Sequence, residues 1–299
     1  MIVDGDSARG IAERQLRTGE WVRVRRGAYT PTAGLSEDRH IRGRQLVLAR
    51  AAAAVRQLTG EVVLSHDTAA TVWGLPLLDL PDVTHVVQRT RRAGNAADDV
   101  VRHHRPTATV DRETLHGLPV TSLARTVVDC ACRLGVQAGL VVADAALAAG
   151  LKLGACADIV TSEPGSRGVR AARTVLTFAD DGAESPGESL ARWAILRSGF
   201  PAPQTQVAVE THLGTFWLDL GWREWRLGVE FDGAVKYAGL TRETLVAEKR
   251  RQDAIEEAGW RLVRLSFADV RSPQAVAARL LRARDGHSTP LTPRRALGC

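Results

Sequence analysis

Two strand-patterned stretches separated by a very short turn constrain this chain more than any other feature. Thr215-Phe216-Trp217-Leu218-Asp219-Leu220 brackets one carboxylate with apolar positions, and Leu227-Gly228-Val229-Glu230-Phe231-Asp232-Gly233 follows almost at once. In the second stretch Leu227, Val229 and Phe231 share one face by the two-residue period, and Glu230 and Asp232 share the other. The intervening Gly221–Trp225 is short enough for a hairpin, and folding about Glu224-Trp225 sets Asp219 nearly opposite Glu230. Cross-strand neighbours have Cβ atoms roughly 5 Å apart, where like charges repel unless something bridges them. A hard divalent cation does so, with carboxylate oxygens at about 2.1 Å for magnesium. Such an ion polarises a phosphoryl oxygen and lowers the pKa of an attacking water. Carboxylates also stand on the solvent face of edge strands with no ligand, so two strands alone leave both readings open.

The next element adds phosphate chemistry. Thr241–Ala258 reads as an amphipathic helix carrying Glu248-Lys249-Arg250-Arg251-Gln252-Asp253, then Gly259-Trp260 and the strand Arg261–Ser266. Lys249 and Asp253 lie on one helical face by their four-residue spacing, as do Glu248 and Gln252. Most such charges are solvated and salt-bridged. The functional alternative gives Lys249 or Arg250 a phosphate-facing role.

Around this core the pattern predicts helices over Pro186–Ser198 and Pro273–Arg284 and strands over Gln206–Val209, Phe216–Leu220 and Arg226–Phe231, an α/β arrangement within a chain that is α+β overall. Upstream, Ser7–Leu16 is helical and Trp21–Tyr29 alternates as a two-stranded ribbon turning at Arg26-Gly27. Glu37–Leu58 is a long helix, and 61–149 mixes short strands with helices that include a second one over Gln137–Ala149. Asp180-Asp181-Gly182 breaks the helix Val169–Phe178. The expected divisions are therefore 1–35, 36–180, 184–285 and a disordered tail, 286–299.

The run Asp219…Gly228-Val229-Glu230-Phe231-Asp232-Gly233…Lys249-Arg250…Asp253…Gly259-Trp260…Val263-Arg264 resembles the very-short-patch-repair-like endonucleases of the PD-(D/E)XK superfamily. The likeness covers about Ser185–Arg284. It implies a restriction-endonuclease-like mixed sheet flanked by helices, and a magnesium- or manganese-dependent DNA endonuclease with Asp219 and Glu230 as metal ligands and Asp232 as a further site carboxylate. Glu188 matches an acidic residue that this family often carries in its first helix, while Ser185-Pro186-Gly187-Glu188 equally fits a helix capping box. The superfamily's lysine, two residues after the second acid, is replaced here by Asp232. Lys236 or Lys249 is left to supply that charge from a neighbouring element. The same departure suits a non-enzymatic antitoxin or repressor that retains a degenerate nuclease fold.

At the front, Arg9, Arg14, Arg17, Arg23, Arg25 and Arg26 face only Glu13 and Glu20. Leu16–Tyr29, with Leu64-Ser65-His66-Asp67-Thr68-Ala69-Ala70…Trp73-Gly74-Leu75 and Gly117-Leu118-Pro119-Val120-Thr121-Ser122, is similar to the AbiEi-like antitoxin family. That likeness implies a winged-helix remnant and a small α+β domain, DNA contact through Arg14, Arg17, Arg23 and Arg25, and a cognate toxin protein as partner. The charge agrees with a polyanionic partner: formal net charge is +6, nearly all of it from arginine, which forks onto phosphate.

Other residues read as structural. Cys130, Cys132, Cys156 and Cys299 lack paired spacing and suit a reducing compartment. His66, His85, His103, His104 and His116 are scattered, with no HxH or HExxH spacing. The tryptophans read as packing residues, with Trp222 and Trp225 the exceptions that suit base stacking. Met1–Gly10 lacks the apolar core of a signal peptide, and no apolar run approaches the roughly 20 residues that cross a bilayer. The expected setting is the cytoplasm.

Overall fold

The computed structural model describes residues 6–88, 98–104, 111–233, 241–284 and 291–298, with side chains from Gly10 onward. It is an α+β chain that divides into two units, Met1–Arg133 with Lys152–Pro164, and Leu134–Leu151 with Gly165–Cys299.

The first unit opens with helix α1 (Asp6–Arg17) against the antiparallel ribbon β1 (Trp21–Arg25) and β2 (Ala28–Pro31), as the alternation predicts. Gly27 makes the turn at φ 69°, a left-handed conformation that glycine adopts without strain. Asp38 then caps α2 (Arg39–Gln57) by accepting from the backbone N–H groups of His40 and Ile41. There follow β3 (Val63–Leu64), α3 (His66–Val72), β4 (Thr84–Gln88), β5 (Val100–His104), β6 (Arg112–Leu115) and β7 (Leu118–Thr121). The five strands form one mixed sheet in the order β5-β4-β3-β7-β6. Ala51 of α2 and Ala69 and Val72 of α3 pack with Leu64, Val86, Val100 and Val120 of the sheet into one apolar core. Each buried Val or Leu there contributes roughly 1.5–3 kcal/mol.

Helix α4 (Leu123–Ala148) breaks at Gly135, whose φ of 80° and ψ of −176° are not helical. This explains why the sequence reads as two helices. By length and composition alone Leu123–Ala148 passes as a membrane-crossing helix, but Arg125, Asp129, Arg133 and Asp144 interrupt its apolar run, it breaks at Gly135, and 67% of its most apolar window is buried inside the protein. Helix α5 (Leu153–Ser162) returns to the first unit.

The second unit carries α6 (Val169–Phe178), α7 (Pro186–Arg197), β8 (Gln204–Thr211), β9 (Gly214–Trp222), β10 (Leu227–Phe231), α8 (Arg242–Glu257), β11 (Arg261–Leu265), α9 (Phe267–Val270) and α10 (Pro273–Ala283). Its sheet has the order β11-β10-β9-β8, with β10 and β11 parallel and the other pairs antiparallel. Helix α8 lays Ile255 on Val207, Val209 and Leu218. It ends in a Schellman motif: Gly259 N–H donates to Glu256 at 2.9 Å and Trp260 N–H to Ile255 at 3.2 Å, with Gly259 at φ 83°. Trp260 and Ile255 join the same core, so the motif aims the chain into β11.

Two expectations about boundaries are corrected. The division does not fall at 180–184, because residues 134–151 belong with the C-terminal unit. A buried ion pair ties them there: Arg192 Nη2 of α7 donates to both Asp144 oxygens at 2.7 Å, while Asp180 N–H donates to Asp144 at 2.9 Å. The expected disordered tail is also overturned for its described part. Residues 291–298 pack on α7: Leu297 is buried and accepts from Trp193 Nε1 at 2.9 Å, and Arg294 donates to the Leu196 and Phe200 carbonyls.

Candidate functional site

The β9–β10 hairpin forms in the expected register, with Gly228 beside Gly221 and Val229 beside Leu220. One step further brings Glu230 to Asp219. Asp219 Oδ2 accepts the Phe231 backbone N–H at 2.7 Å, which fixes that carboxylate at the end of β10. Asp219, Glu230 and Asp232 line a single cleft of about 560 Å³, together with Glu248, Lys249, Arg251 and Gln252 of α8 and Arg264 of β11.

Glycine permits the close approaches behind this cleft. A Cβ on Gly228 would fall 2.4 Å from Leu218 Cδ1, and a Cβ on Gly187 would fall 2.1 Å from the Phe231 ring. Helix α7 therefore abuts the residue whose N–H holds Asp219. Glu188, one residue on, is committed to the helix cap. Its Oε1 accepts from Ser185 Oγ at 2.7 Å and its Oε2 from the Glu184 N–H at 2.8 Å, and the residue does not line the cleft. Ser185 Oγ in turn accepts the Glu188 N–H at 3.2 Å, so the pair caps α7, although the backbone N–H that Glu188 binds is that of Glu184 and not, as in a full capping box, that of Ser185.

Charge in the cleft is organised by two arginines that sequence reasoning passed over. Arg251 pairs with Glu230 Oε1 and sits 3.4 Å from Glu248; Arg264, level with Glu230 in the parallel register, lies 3.6 Å from Glu230 Oε2 and pairs with Glu248. Burial acts to lower the Arg251 pKa, but its hydrogen bond to Glu230 and the charges of Glu230, Glu248 and Asp219 outweigh it and hold the pKa above its ordinary value. Arg250 points away, exposed and outside the cleft. Lys249 lines the cleft but pairs at 2.5 Å with Asp253 on its own helix, which raises its pKa. Lys236 lies outside the described residues. The described lining therefore sets four carboxylates against three cations, an excess of negative charge that suits a bound cation.

In the first unit Arg14, Arg17 and Arg23 are exposed. Arg25 is not a surface contact: its side chain is 6% exposed and pairs with Asp99, Nε to Oδ2, at 3.0 Å. A bulge between Arg23 and Arg25 shifts the register there and turns the residue inward. Trp222 is likewise buried, 5.0 Å from Trp225 between ring centroids and 5.8 Å from Phe200, whereas Trp217 is the exposed indole of the hairpin.

Three of those five histidines come together in space. His66, His85 and His103 each offer a ring nitrogen, and these atoms lie within 4.8 Å of one another. No spacing in the sequence signals this, because a helix start and two parallel strands bring the three together. Burial, then the charge of Arg133, lowers the His85 pKa to about 4, so this ring is neutral at physiological pH.

No family model matches the chain. A solved structure of the RV2827C protein from Mycobacterium tuberculosis aligns over 62% of this chain and 69% of that one, at 16% identity and a TM-score of 0.35. The chain is 31% identical over 278 residues to two proteins of the same species, MT2308 of strain CDC 1551 and Rv2248 of strain H37Rv, both described as uncharacterized. The match takes in 91% of this chain and 95% of each relative, and the chain belongs to the family of these proteins.

Proposed function

We propose that the C-terminal unit is a magnesium- or manganese-dependent nuclease domain acting on DNA phosphodiester bonds, in a cytoplasmic protein whose exposed N-terminal arginines assist DNA binding. One observation carries the reading: Asp219, Glu230 and Asp232 converge in a cleft between a mixed sheet and a helix that brings Arg251 and Lys249 to the same space. The resemblance to PD-(D/E)XK endonucleases noted in the sequence supports it. The donor set fits a hard cation, since carboxylate oxygens are the ligands magnesium takes. Asp219 and Glu230 would hold it, and the ion would supply charge stabilisation and a more acidic water.

The remaining chemistry falls to the chain. Hydrolysis joins a water oxygen to phosphorus and breaks one P–O bond, and the leaving oxygen gains a proton. Asp232 would take the proton of the attacking water. Arg251, freed from Glu230 by the cation, would move its fork to the scissile phosphate and fill the role of the lysine absent at position 232. Lys249 would add a second contact.

A second reading has its own support: Glu230 is already neutralised by Arg251 and Arg264, which suits a DNA-binding regulator that keeps the nuclease fold as scaffold. A cleavage assay on supercoiled, linear and mismatched DNA, with magnesium or with chelator, decides between them. Magnesium-dependent cutting that Asp219→Ala abolishes supports the nuclease. An Asp219→Ala protein that cuts as fast as wild type refutes the site. Salt-sensitive DNA binding without cutting moves the assignment to the regulator.

A further inference from the structure

The three histidines of the first unit lie far in sequence from the carboxylate cleft and serve none of its chemistry. His66 opens α3, His85 is on β4 and His103 is on β5, where the parallel register puts His85 and His103 on one sheet face. His85 Nδ1 stands 3.0 Å from His103 Nε2, and the His66 and His103 rings stack at 3.7 Å between centroids. His66 and His85 are buried and His103 is half-buried, so the cluster opens to solvent on the His103 side.

From this arrangement we propose that His66, His85 and His103 bind a zinc-type transition-metal ion, with Asp67 as the carboxylate that orients His85. Imidazole nitrogen is a borderline donor that suits zinc and its neighbours in the first transition row, not magnesium. At zinc–nitrogen distances of about 2.0–2.1 Å, two tetrahedral ligands stand about 3.3 Å apart. The His85–His103 separation of 3.0 Å is within a few tenths of an ångström of that value. Binding replaces their mutual hydrogen bond and asks the stacked pair to tilt towards a common ion.

The surrounding groups match the second layer of a metal site. His85 Nε2 lies 3.3 Å from Asp67 Oδ1, a buried oxygen that makes no hydrogen bond among the described residues, so a small turn of the ring would let Nε2–H donate to it and leave the Nδ1 lone pair facing His103. Asp67 is itself held by Arg133. A carboxylate behind a ligating imidazole fixes both the tautomer and the ring orientation. His66 Nδ1 contacts Ser65 Oγ at 2.9 Å, and the residue sits at φ 53°, a left-handed conformation uncommon for side-chain-bearing residues but one that histidine takes more readily than most. Three nitrogens leave a fourth position for water or another oxygen donor. The ion would tie the start of α3 to the β4–β5 edge.

The test is zinc titration of the full, untagged, metal-stripped chain against a competing chromogenic chelator, with cobalt as a spectroscopic substitute. One zinc per chain is expected, with visible cobalt absorption of tetrahedral intensity. Asp219→Asn/Glu230→Gln should bind zinc as wild type does, which separates this site from the carboxylate cleft. Asp67→Asn should keep the cobalt spectrum while affinity falls about 10–100-fold. His103→Ala, whose circular dichroism checks its folding, should lose more. Folded wild-type protein that takes up no zinc overturns the proposal. So does unchanged affinity in both His85→Ala and His103→Ala.

Discussion

If Arg251 occupies the place of a cation at Glu230, removing it should strengthen metal binding even as it weakens any reaction. The pair is mostly shielded, with side chains 22% and 14% exposed, and Arg251 also donates to the Trp217 carbonyl at 3.2 Å. A charge-assisted hydrogen bond of this kind is worth about 1.5–3 kcal/mol. Partial exposure and the second arginine, Arg264, argue for the lower end. A magnesium ion that must first displace Arg251 therefore loses about 1.5 kcal/mol, roughly tenfold in affinity. Arg251→Met keeps an unbranched apolar side chain near Phe216, over whose ring the guanidinium lies at 5.7 Å, and removes the charge together with the hydrogen bonds to Glu230 and the Trp217 carbonyl. Isothermal titration with magnesium and manganese should show affinity rising about tenfold in Arg251→Met and falling in Glu230→Gln. If Arg251→Met binds either ion no better than wild type, Arg251 does not compete for Glu230, and the displacement step fails with it.

Other consequences are independent of the metal. Arg192→Met should destabilise the C-terminal unit by about 3–5 kcal/mol, because it strands the buried Asp144 charge, while the double variant Asp144→Leu/Arg192→Met should recover most of that loss in thermal denaturation; a single-variant cost below about 1 kcal/mol would contradict the buried pair. Gly187→Ala, which in an ordinary helix gains roughly 0.5–1 kcal/mol, should here lose about 1–3 kcal/mol against the Phe231 ring, measured by urea unfolding, and a gain would refute that contact. Burial of Asp269 opposes ionisation, but its hydrogen bonds to Ser266 and its pairing with Arg279 outweigh this and hold its pKa below the ordinary 3.8. Its stabilising effect is thus complete above the unfolded value and disappears as pH falls through the folded one. The stability gap between wild type and Asp269→Asn should accordingly stay constant near neutrality and narrow below about pH 3.8; a gap that widens on acidification reverses the sign.

The parts of the molecule legible in the sequence are those governed by local periodicity. Alternation around Asp219 and Glu230 places the hairpin, and the Ser185–Glu188 spacing gives the cap of α7. Helical phase is less forgiving. Lys249, Arg250 and Arg251 are consecutive, about 100° apart on the wheel, and only packing of Ile255 on the sheet decides that Arg251 faces Glu230. Arg25 escaped because one bulge reverses the strand face beyond it. The histidine cluster and the Asp144–Arg192 pair join residues far apart in the chain, and no local pattern encodes such contacts. Residues 286–299 read as disordered by composition, yet within 291–298 Leu297 accepts from Trp193 of α7 and Arg294 binds the Leu196 and Phe200 carbonyls.

The carboxylate site stands or falls on one ion held between two strands. Anomalous diffraction from manganese-soaked crystals would locate that ion. A manganese peak bound by carboxylate oxygens of both Asp219 and Glu230, with Arg251 moved off Glu230, is expected. A cleft without a peak, in which Arg251 still bridges Glu230 at saturating manganese, would contradict it.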